Sequence, residues 1–469
     1  MSLNKNSSIL SKEDVANHFD RIAEKFESYK RKNAYYYSQI EKFYQSIIPA
    51  GSRVLDIGCA TGGFLSSLKP SYGVGIDLSQ KMIEIARKKH PNLSFLVQDA
   101  DTINLKEKFD YIVISNLLDF LPDIWLTFTN LKKYCHDDTK IIITSLNPLW
   151  EPILKLGAFL HLRTPDIQRN FITNNDLINI LDLLNYRITE KGYRLFMPEY
   201  IPLISAILNR ILPRLPVINN FCALQYVVVD IISFFPQPSD LSCSIIIPCH
   251  NEEDNIESCV KRIPRIGKFT EIVVIDDGST DITAKKVRKI IETDKRVKLI
   301  SYSPNKGKGH AVRMGFDNSL GDVLIILDAD MAVEPEVLDR FFSPIAEGKA
   351  DFVNGTRMVY PMDKDAMRIL NFFGNKVFGI LLSLIMGQRN TDTLCGTKAF
   401  LRRDYRNMRM GKCPWGDFDL LFEASRLKLK MVEMPILYKS RIAGKSKMKA
   451  FKHGLQLLKM CWRGLNEIP

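Results

Sequence analysis

Hydrophobic positions along the chain fall into two series of short apolar runs, each run followed by a loop and then an amphipathic stretch. The first series opens at Arg53-Val-Leu-Asp-Ile57 and predicts strands over 53–57, 72–77, 94–98, 109–115 and 139–145. The second opens at Ser244-Ile-Ile-Ile-Pro248 and predicts strands over 244–248, 271–276, 297–301, 323–328 and 351–357. Near-continuous apolar runs suit strands buried on both faces, and their alternation with helical stretches predicts mostly parallel sheets covered by helices. The expected fold class is α/β, with two doubly wound domains.

Between the series lies Phe235-Pro-Gln-Pro-Ser-Asp240, whose turn residues mark a linker. The expected division is a first domain over 1–234, a linker over 235–242 and a second domain over 243–469. The apolar segment Glu199–Phe235, broken by Pro202, Pro213 and Pro216, is read as a helical cap on the first domain, with an element lying on lipid as the other reading. Near the end, Phe451, Leu455, Leu458, Trp462 and Leu465 recur at helical spacing with Lys452, Lys459 and Arg463 off the stripe. That pattern fits either a surface-lying helix on anionic lipid or a helix docked on the core.

No apolar run reaches the roughly 20 residues needed to span a bilayer. The longest candidate is Leu215–Val229, between Arg214 and Asp230, and the first eleven residues lack a signal core. A cytoplasmic chain is expected. The nine scattered cysteines form no Cys-x-x-Cys pair and are expected as reduced packing residues. Net charge is +12, and residues 398–469 hold 17 basic against 6 acidic side chains, which fits either an anionic partner or a solvated basic tail.

In the first half, Val54-Leu-Asp-Ile-Gly-Cys-Ala-Thr-Gly-Gly63 runs from a strand into a glycine-rich turn. Its glycines permit close approach to a ligand. Asp56 precedes the turn and no basic residue lies between 54 and 68, which suits a cationic sulfonium better than a pyrophosphate. Asp77 ends the next strand at the spacing of a ribose-binding carboxylate, and Asp99 ends the third, where it can meet an adenine edge. With Gly75-Ile-Asp-Leu-Ser79 and Asp110–Leu118, these segments make residues 15–150 resemble a class I S-adenosylmethionine-dependent methyltransferase with a Rossmann-like fold. The resemblance implies cofactor contacts by Asp56, Gly58, Gly62, Asp77 and Asp99. It is broken at Ala60, where the family usually has glycine; a positive φ there costs about 1 kcal/mol. Tyr35-Tyr-Tyr37 and Asn147-Pro-Leu-Trp150 are candidates for an acceptor site or for core.

In the second half, Val323-Leu-Ile-Ile-Leu-Asp-Ala-Asp330 ends a hydrophobic strand in two carboxylates. They would repel unless a divalent cation, Mg²⁺ or Mn²⁺, bridged them to phosphate oxygens. Ile247-Pro-Cys-His-Asn-Glu252, Val274-Ile-Asp-Asp-Gly-Ser-Thr-Asp281, Asn305-Lys-Gly-Lys-Gly-His-Ala311 and the Asp328/Asp330 pair follow in order. Together they resemble a family 2 glycosyltransferase of GT-A fold. Gly355-Thr-Arg357, Arg368-x-x-Asn371-x-x-x-Asn375, Asp392-Thr-Leu-Cys-Gly-Thr-Lys398 and Arg441-Ile-Ala-Gly-Lys-Ser-Lys447 make the resemblance strongest to dolichol-phosphate mannose synthases and polyprenyl-phosphate glycosyltransferases. The resemblance implies nucleotide-sugar contacts by Pro248, Asn251, Glu252, Asp277, Lys308, Gly309, Asp328 and Lys447, and metal binding by Asp328 and Asp330. It also implies phosphate contacts by Arg357 and Arg441 and an acid near the acceptor in Trp415-Gly-Asp-Phe-Asp419, Asp417 by motif position with Asp419 as the other candidate.

The expected function is that of a bifunctional enzyme. One domain moves a sugar from a UDP- or GDP-linked donor to polyprenyl phosphate or a related lipid-linked acceptor. The other transfers a methyl group from S-adenosylmethionine; the alternative leaves the first domain a non-catalytic binding or scaffold module. The expected location is peripheral, on the inner face of the cell membrane at an anionic surface. Nucleic acid is not an expected partner, because no recognition motif accompanies the basic residues.

Overall fold

The computed structural model describes residues 11–162, 170, 172–231, 240–360, 369–411, 417–438 and 461, with the side chains of 369–376 and 417 excepted. The chain divides into two compact units, the boundary falling between Phe235 and Pro236.

The first unit is built on a seven-stranded sheet. Its strands are β1 Arg53–Ile57, β2 Tyr72–Asp77, β3 Ser94–Val97, β4 Phe109–Ser115, β5 Cys135–Leu146, β6 Tyr186–Arg194 and β7 Leu224–Ile231. The order is β3-β2-β1-β4-β5-β7-β6. The first five strands are parallel; β7 pairs antiparallel with β5 and with β6. Residues 224–231, expected inside a helical cap, are therefore a sheet strand. Their Tyr-Val-Val-Val run is β-branched and buried on both faces, which a strand between two others satisfies. The helix Ile204–Ile211 does form within the proline-broken part of that segment.

Helix α1, Lys12–Lys32, starts with a capping box in which Ser11 and Asp14 bond reciprocally, and it ends in Lys30, Arg31 and Lys32, matching the helix dipole. Its buried face carries Ile22 and Ala23, packed on Met82.

The second unit has its own seven-stranded sheet. Its strands are β8 Cys243–Cys249, β9 Thr270–Asp277, β10 Val297–Tyr302, β11 Val323–Ile326, β12 Phe352–Thr356, β13 Lys398–Leu401 and β14 Met431–Pro435, in the order β10-β9-β8-β11-β13-β12-β14. Strands β8 to β11 are parallel, and β13 runs antiparallel between β11 and β12. All eight residues of β9 are buried, as the centre of a doubly covered sheet demands.

Both sheets change their direction of strand addition at the centre, between β1 and β4 and between β8 and β11. Ligands of open α/β sheets bind beyond the carboxyl ends of the strands at such a reversal. Asp56 lies one residue before the end of β1, and Asp328 and Asp330 follow β11.

The eight described cysteines are free and buried. Among the described residues, no helix is long and apolar enough to cross a membrane.

Candidate functional site

In the first unit, the turn after β1 carries Gly58 at φ 77° and Gly62 at φ 75°. A Cβ on Gly62 would lie 2.5 Å from the Phe95 ring, so both backbone angle and space require glycine. Ala60 sits between them at φ 46°, the left-handed geometry that an L side chain resists. The turn is held from the next strand, because Asp77 accepts the backbone N–H of Ala60 and of Ser79, each at 2.9 Å.

Asp56 is buried, and its Oδ2 has no hydrogen-bond partner among the described residues. Burial first, and the neighbouring Asp77 second, push its pKa up to about 7, against the pull of Lys30. An orphaned buried carboxyl beside a glycine turn is a place where a cationic ligand gains most. It borders a cavity of about 460 Å³ that also meets Gly58, Ala60, Asp77, Asp99 and Tyr36. That volume lies within the range of small-molecule sites. Trp150 and Tyr37 line it as well, whereas Tyr35 packs its ring 5.4 Å from Tyr200.

Helix α1 closes over this site. Lys12 is ion-paired with Asp99 and, at 2.7 Å, with Asp101. Asp20 accepts from the Ser79 hydroxyl and Glu27 from the Thr61 hydroxyl, each at 2.5 Å. Lys12, Asp20 and Glu27 escape sequence reasoning because each partner is more than 30 residues away; charged positions spaced 7 or 8 apart on α1, one face of a helix, are the signal available.

In the second unit, Asp328 lies just beyond β11 and forms an ion pair with Lys308 at 2.7 Å. Asp330 is largely buried and accepts the Ala332 N–H at 3.1 Å. Lys308 opens the helix Lys308–Asp317, in whose first turn Gly309 is buried. The loop before that helix is pinned by Asp277, whose two carboxylate oxygens accept the N–H groups of Lys306 at 2.7 Å and Gly307 at 2.9 Å. Asp277 thus holds the loop that carries Lys308, a role beyond the nucleotide-sugar contact expected of it.

The loop after β8 is stitched to the loop after β9. Asn251, at φ 57°, receives the Thr280 N–H at 2.8 Å and donates its own N–H to Ser279 at 2.9 Å. Glu252 donates its N–H to Thr283 and binds the Asn255 amide, and the His250 ring contacts the Asp277 carbonyl at 2.9 Å. Pro248 lies in β8 itself. These sites, far apart in sequence, therefore meet along one sheet edge.

Arg357 is held by a carboxylate of its own domain. Its fork is spent on Asp392, at 2.6 and 2.7 Å, with the guanidinium over the Tyr438 ring. Both residues are buried, and the adjacent carboxylate holds the arginine's pKa well above its ordinary value despite desolvation. An arginine so engaged braces the 392–398 segment. That segment brings in Gly396, which sequence reasoning left without a role: a Cβ there would lie 2.3 Å from Asp328 Oδ2 and 2.9 Å from Lys308 Nζ. Asp417 begins the helix Asp417–Arg426, its side chain outside the described residues. Arg441, Lys447 and the stripe from Phe451 to Leu465 also lie outside them.

A family model described as Glycosyl transferase family 2 matches residues 244–408. A relative, dolichyl-phosphate beta-glucosyltransferase of Dictyostelium discoideum, is 30% identical over 236 residues, covering 46% of this chain and 71% of its own length. The chain belongs to glycosyl transferase family 2. A second relative of this family 2 chain, the dolichol-phosphate mannosyltransferase of Pyrococcus furiosus, is 37% identical over 121 residues, 25% of this chain and 34% of that protein. The chain thus spans about a third of that second relative. A methyltransferase domain model matches residues 29–191, so the family 2 domain is fused to a methyltransferase domain. A solved S-adenosylmethionine-dependent methyltransferase of Thermotoga maritima, titled a possible histamine N-methyltransferase, is 17% identical, with a TM-score of 0.36 over 46% of this chain and 98% of its own.

Proposed function

We propose that the C-terminal domain transfers a sugar from a UDP- or GDP-linked donor to polyprenyl phosphate or a related lipid-linked acceptor, at the inner face of the membrane. The N-terminal domain methylates a molecule of the same pathway. The observation that carries the sugar-transfer reading is the meeting of Asp328, Lys308 and Gly396 just past β11, with Asp330 beside them. The two relatives named for dolichol-phosphate sugar transfer support the acceptor class.

Asp328 and Asp330 are the residues that would hold a divalent cation, whose chemistry is Lewis-acid stabilisation of the leaving diphosphate. Their hard oxygen donors suit Mg²⁺ or Mn²⁺. Among the described residues no group of three or more His, Cys, Asp or Glu could hold a metal, so diphosphate oxygens and water would complete the shell. Lys308 adds a positive charge beside the same leaving group. An acceptor phosphate oxygen forms the new bond to the anomeric carbon as the bond to the diphosphate breaks and its electron pair leaves with the diphosphate. Such an oxygen is already anionic and needs no strong base; a hydroxyl acceptor would hand its proton to Asp417.

In the N-terminal domain, Asp56 would face the cationic part of S-adenosylmethionine, Asp77 the ribose and Asp99 the adenine. Bound there, that molecule supplies an electrophilic methyl group.

The test is a panel of UDP-glucose, UDP-N-acetylglucosamine and GDP-mannose with polyprenyl phosphate and manganese, scored for nucleoside diphosphate release. One donor should turn over, and Asp328→Asn should abolish that turnover. Release at the wild-type rate from the variant would sink the assignment of Asp328. For the other domain, S-adenosylmethionine binding without any methyl transfer would favour a binding module.

A further inference from the structure

Of the 25 large hydrophobic side chains exposed among the described residues, 16 fall in two stretches of the methyltransferase domain, 149–162 and 200–221. Exposed apolar residues scattered singly mean little, but a concentration of this kind marks an interaction surface. The helix Glu151–Phe159 has no buried residue and exposes Ile153, Leu156 and Phe159. The helix Ile204–Ile211 exposes Ile204, Ile207 and Ile211.

The two stretches share one corner of the domain. Trp150 donates its indole N–H to the Phe221 carbonyl at 2.8 Å. Asn33 donates to the Leu162 carbonyl at 3.1 Å, and Asn209 donates to the Tyr35 hydroxyl at 3.2 Å. The same corner is the rim of the Asp56 cavity, which Ile153, Gly157 and Leu162 line from one stretch and Pro198 and Glu199 from beside the other. Leu203 and Val217 are 79% and 72% exposed although their backbones hold φ of 63° and 70°. Strain that keeps apolar side chains in the open is evidence for a purpose outside the fold.

Charge selects the occupant. Residues 200–221 contain the exposed Arg210 and Arg214 and no acidic side chain. In the other stretch Glu151 is neutralised by Lys155 at 2.7 Å, and Lys32 reaches the His161 carbonyl. An apolar face on which the exposed Lys32, Arg210 and Arg214 outnumber the acidic Glu199 fits the headgroup region of an anionic bilayer.

We propose that this rim docks the methyltransferase domain on an anionic lipid surface, so that its cavity opens toward lipid and its methyl acceptor is an amphiphile held in that surface. The inference rests on the methyltransferase reading of the cavity. It commits that domain to the membrane through its own residues, whatever the sugar-transfer domain does.

The test places an environment-sensitive fluorophore on Leu203→Cys or Leu156→Cys in the full chain. The control is Asp138→Cys, at the opposite end of β5 from Trp150, and the unsubstituted chain gives the background from native thiols. With vesicles containing phosphatidylglycerol, but not with phosphatidylcholine alone, labels at 203 and 156 shift to the blue while the label at 138 stays wet. Adding Ile207→Asp and Ile211→Asp abolishes the shift and leaves S-adenosylhomocysteine affinity unchanged. Labels that stay wet while the chain floats with vesicles would overturn the proposal, and so would a blue shift that follows protein concentration without lipid, which assigns the face to a second copy. Failure of S-adenosylhomocysteine to bind the unsubstituted chain would remove the cavity reading itself, a separate outcome.

Discussion

Gly396 stands so close to Asp328 that a methyl group in place of its hydrogen would lie 2.3 Å from the Asp328 carboxylate. The clash is shared with Lys308 Nζ at 2.9 Å, so a side chain there pushes on both members of the ion pair. Gly396→Ala is expected to move Asp328 off its position and cut turnover of the nucleotide-sugar about 100-fold, the scale of a 1 Å misplacement. The melting temperature should change little, because the displaced atoms end flexible, partly exposed side chains. Steady-state kinetics with manganese varied check this; turnover equal to wild type would show that Asp328 is not needed where it stands.

The Arg357–Asp392 pair makes the opposite prediction, one of stability. Asp392 also accepts the Arg357 backbone N–H at 3.0 Å, so its removal strands a buried guanidinium and a backbone donor together. Asp392→Ala should destabilise the domain by about 3–5 kcal/mol. Arg357→Lys should fail to substitute, because an ammonium has no planar fork for two carboxylate oxygens. Denaturant unfolding of the two variants measures both effects. A loss of sugar transfer with unaltered unfolding would return Arg357 to the acceptor side.

Strands announced by an apolar run and a following glycine turn, such as 53–57 and 244–248, were legible because burial on both faces leaves a continuous hydrophobic trace. Strand β6 was not: its Thr-Glu-Lys-Gly centre is polar, and it is a strand through its pairing with β7. Strand β7 was misread as cap because a continuous apolar run has no period to separate strand from helix. The short β13 and β14 took their conformation from neighbours far away in sequence. The same division holds at the sites. Asp56, Asp77, Asp328 and Lys308 are motif residues, each adjoining a strand end or a turn. The Lys12–Asp99 pair, the Asp392 grip on Arg357 and the approach of Gly396 are tertiary facts, and no local pattern encodes them.

Ala60 offers a test of strain. An L residue in left-handed geometry costs about 1–2 kcal/mol. Replacing it by glycine recovers that but frees the unfolded chain by about 0.4–1 kcal/mol. Ala60→Gly should therefore stabilise the methyltransferase domain by roughly 0.5–1 kcal/mol, a rise of about 2 °C in its melting temperature. Calorimetry of the full chain, following the transition that S-adenosylhomocysteine raises, reads this directly. A fall in that transition would mean that φ at this position relaxes without cost.

Asp56 sets a pH dependence whose sign differs for folding and for binding. Its carboxyl rises from an ordinary 3.8 to about 7 on folding, through burial and the nearby Asp77. Between those values the folded domain holds a proton that the unfolded chain has released, so this group's contribution to stability falls as pH rises from about 4 to 7. Binding runs the other way. A cationic ligand favours the ionised carboxylate, so below pH 7 it must expel the proton, and affinity for S-adenosylmethionine should weaken about tenfold for each pH unit on that side. Asp56→Asn should flatten the profile and bind weakly throughout, while unfolding less readily than the parent above pH 7. Titration calorimetry in two buffers of different ionisation enthalpy would register a proton released on binding near pH 6 and almost none near pH 8. An affinity that does not vary across this range would place the ligand's charge away from Asp56.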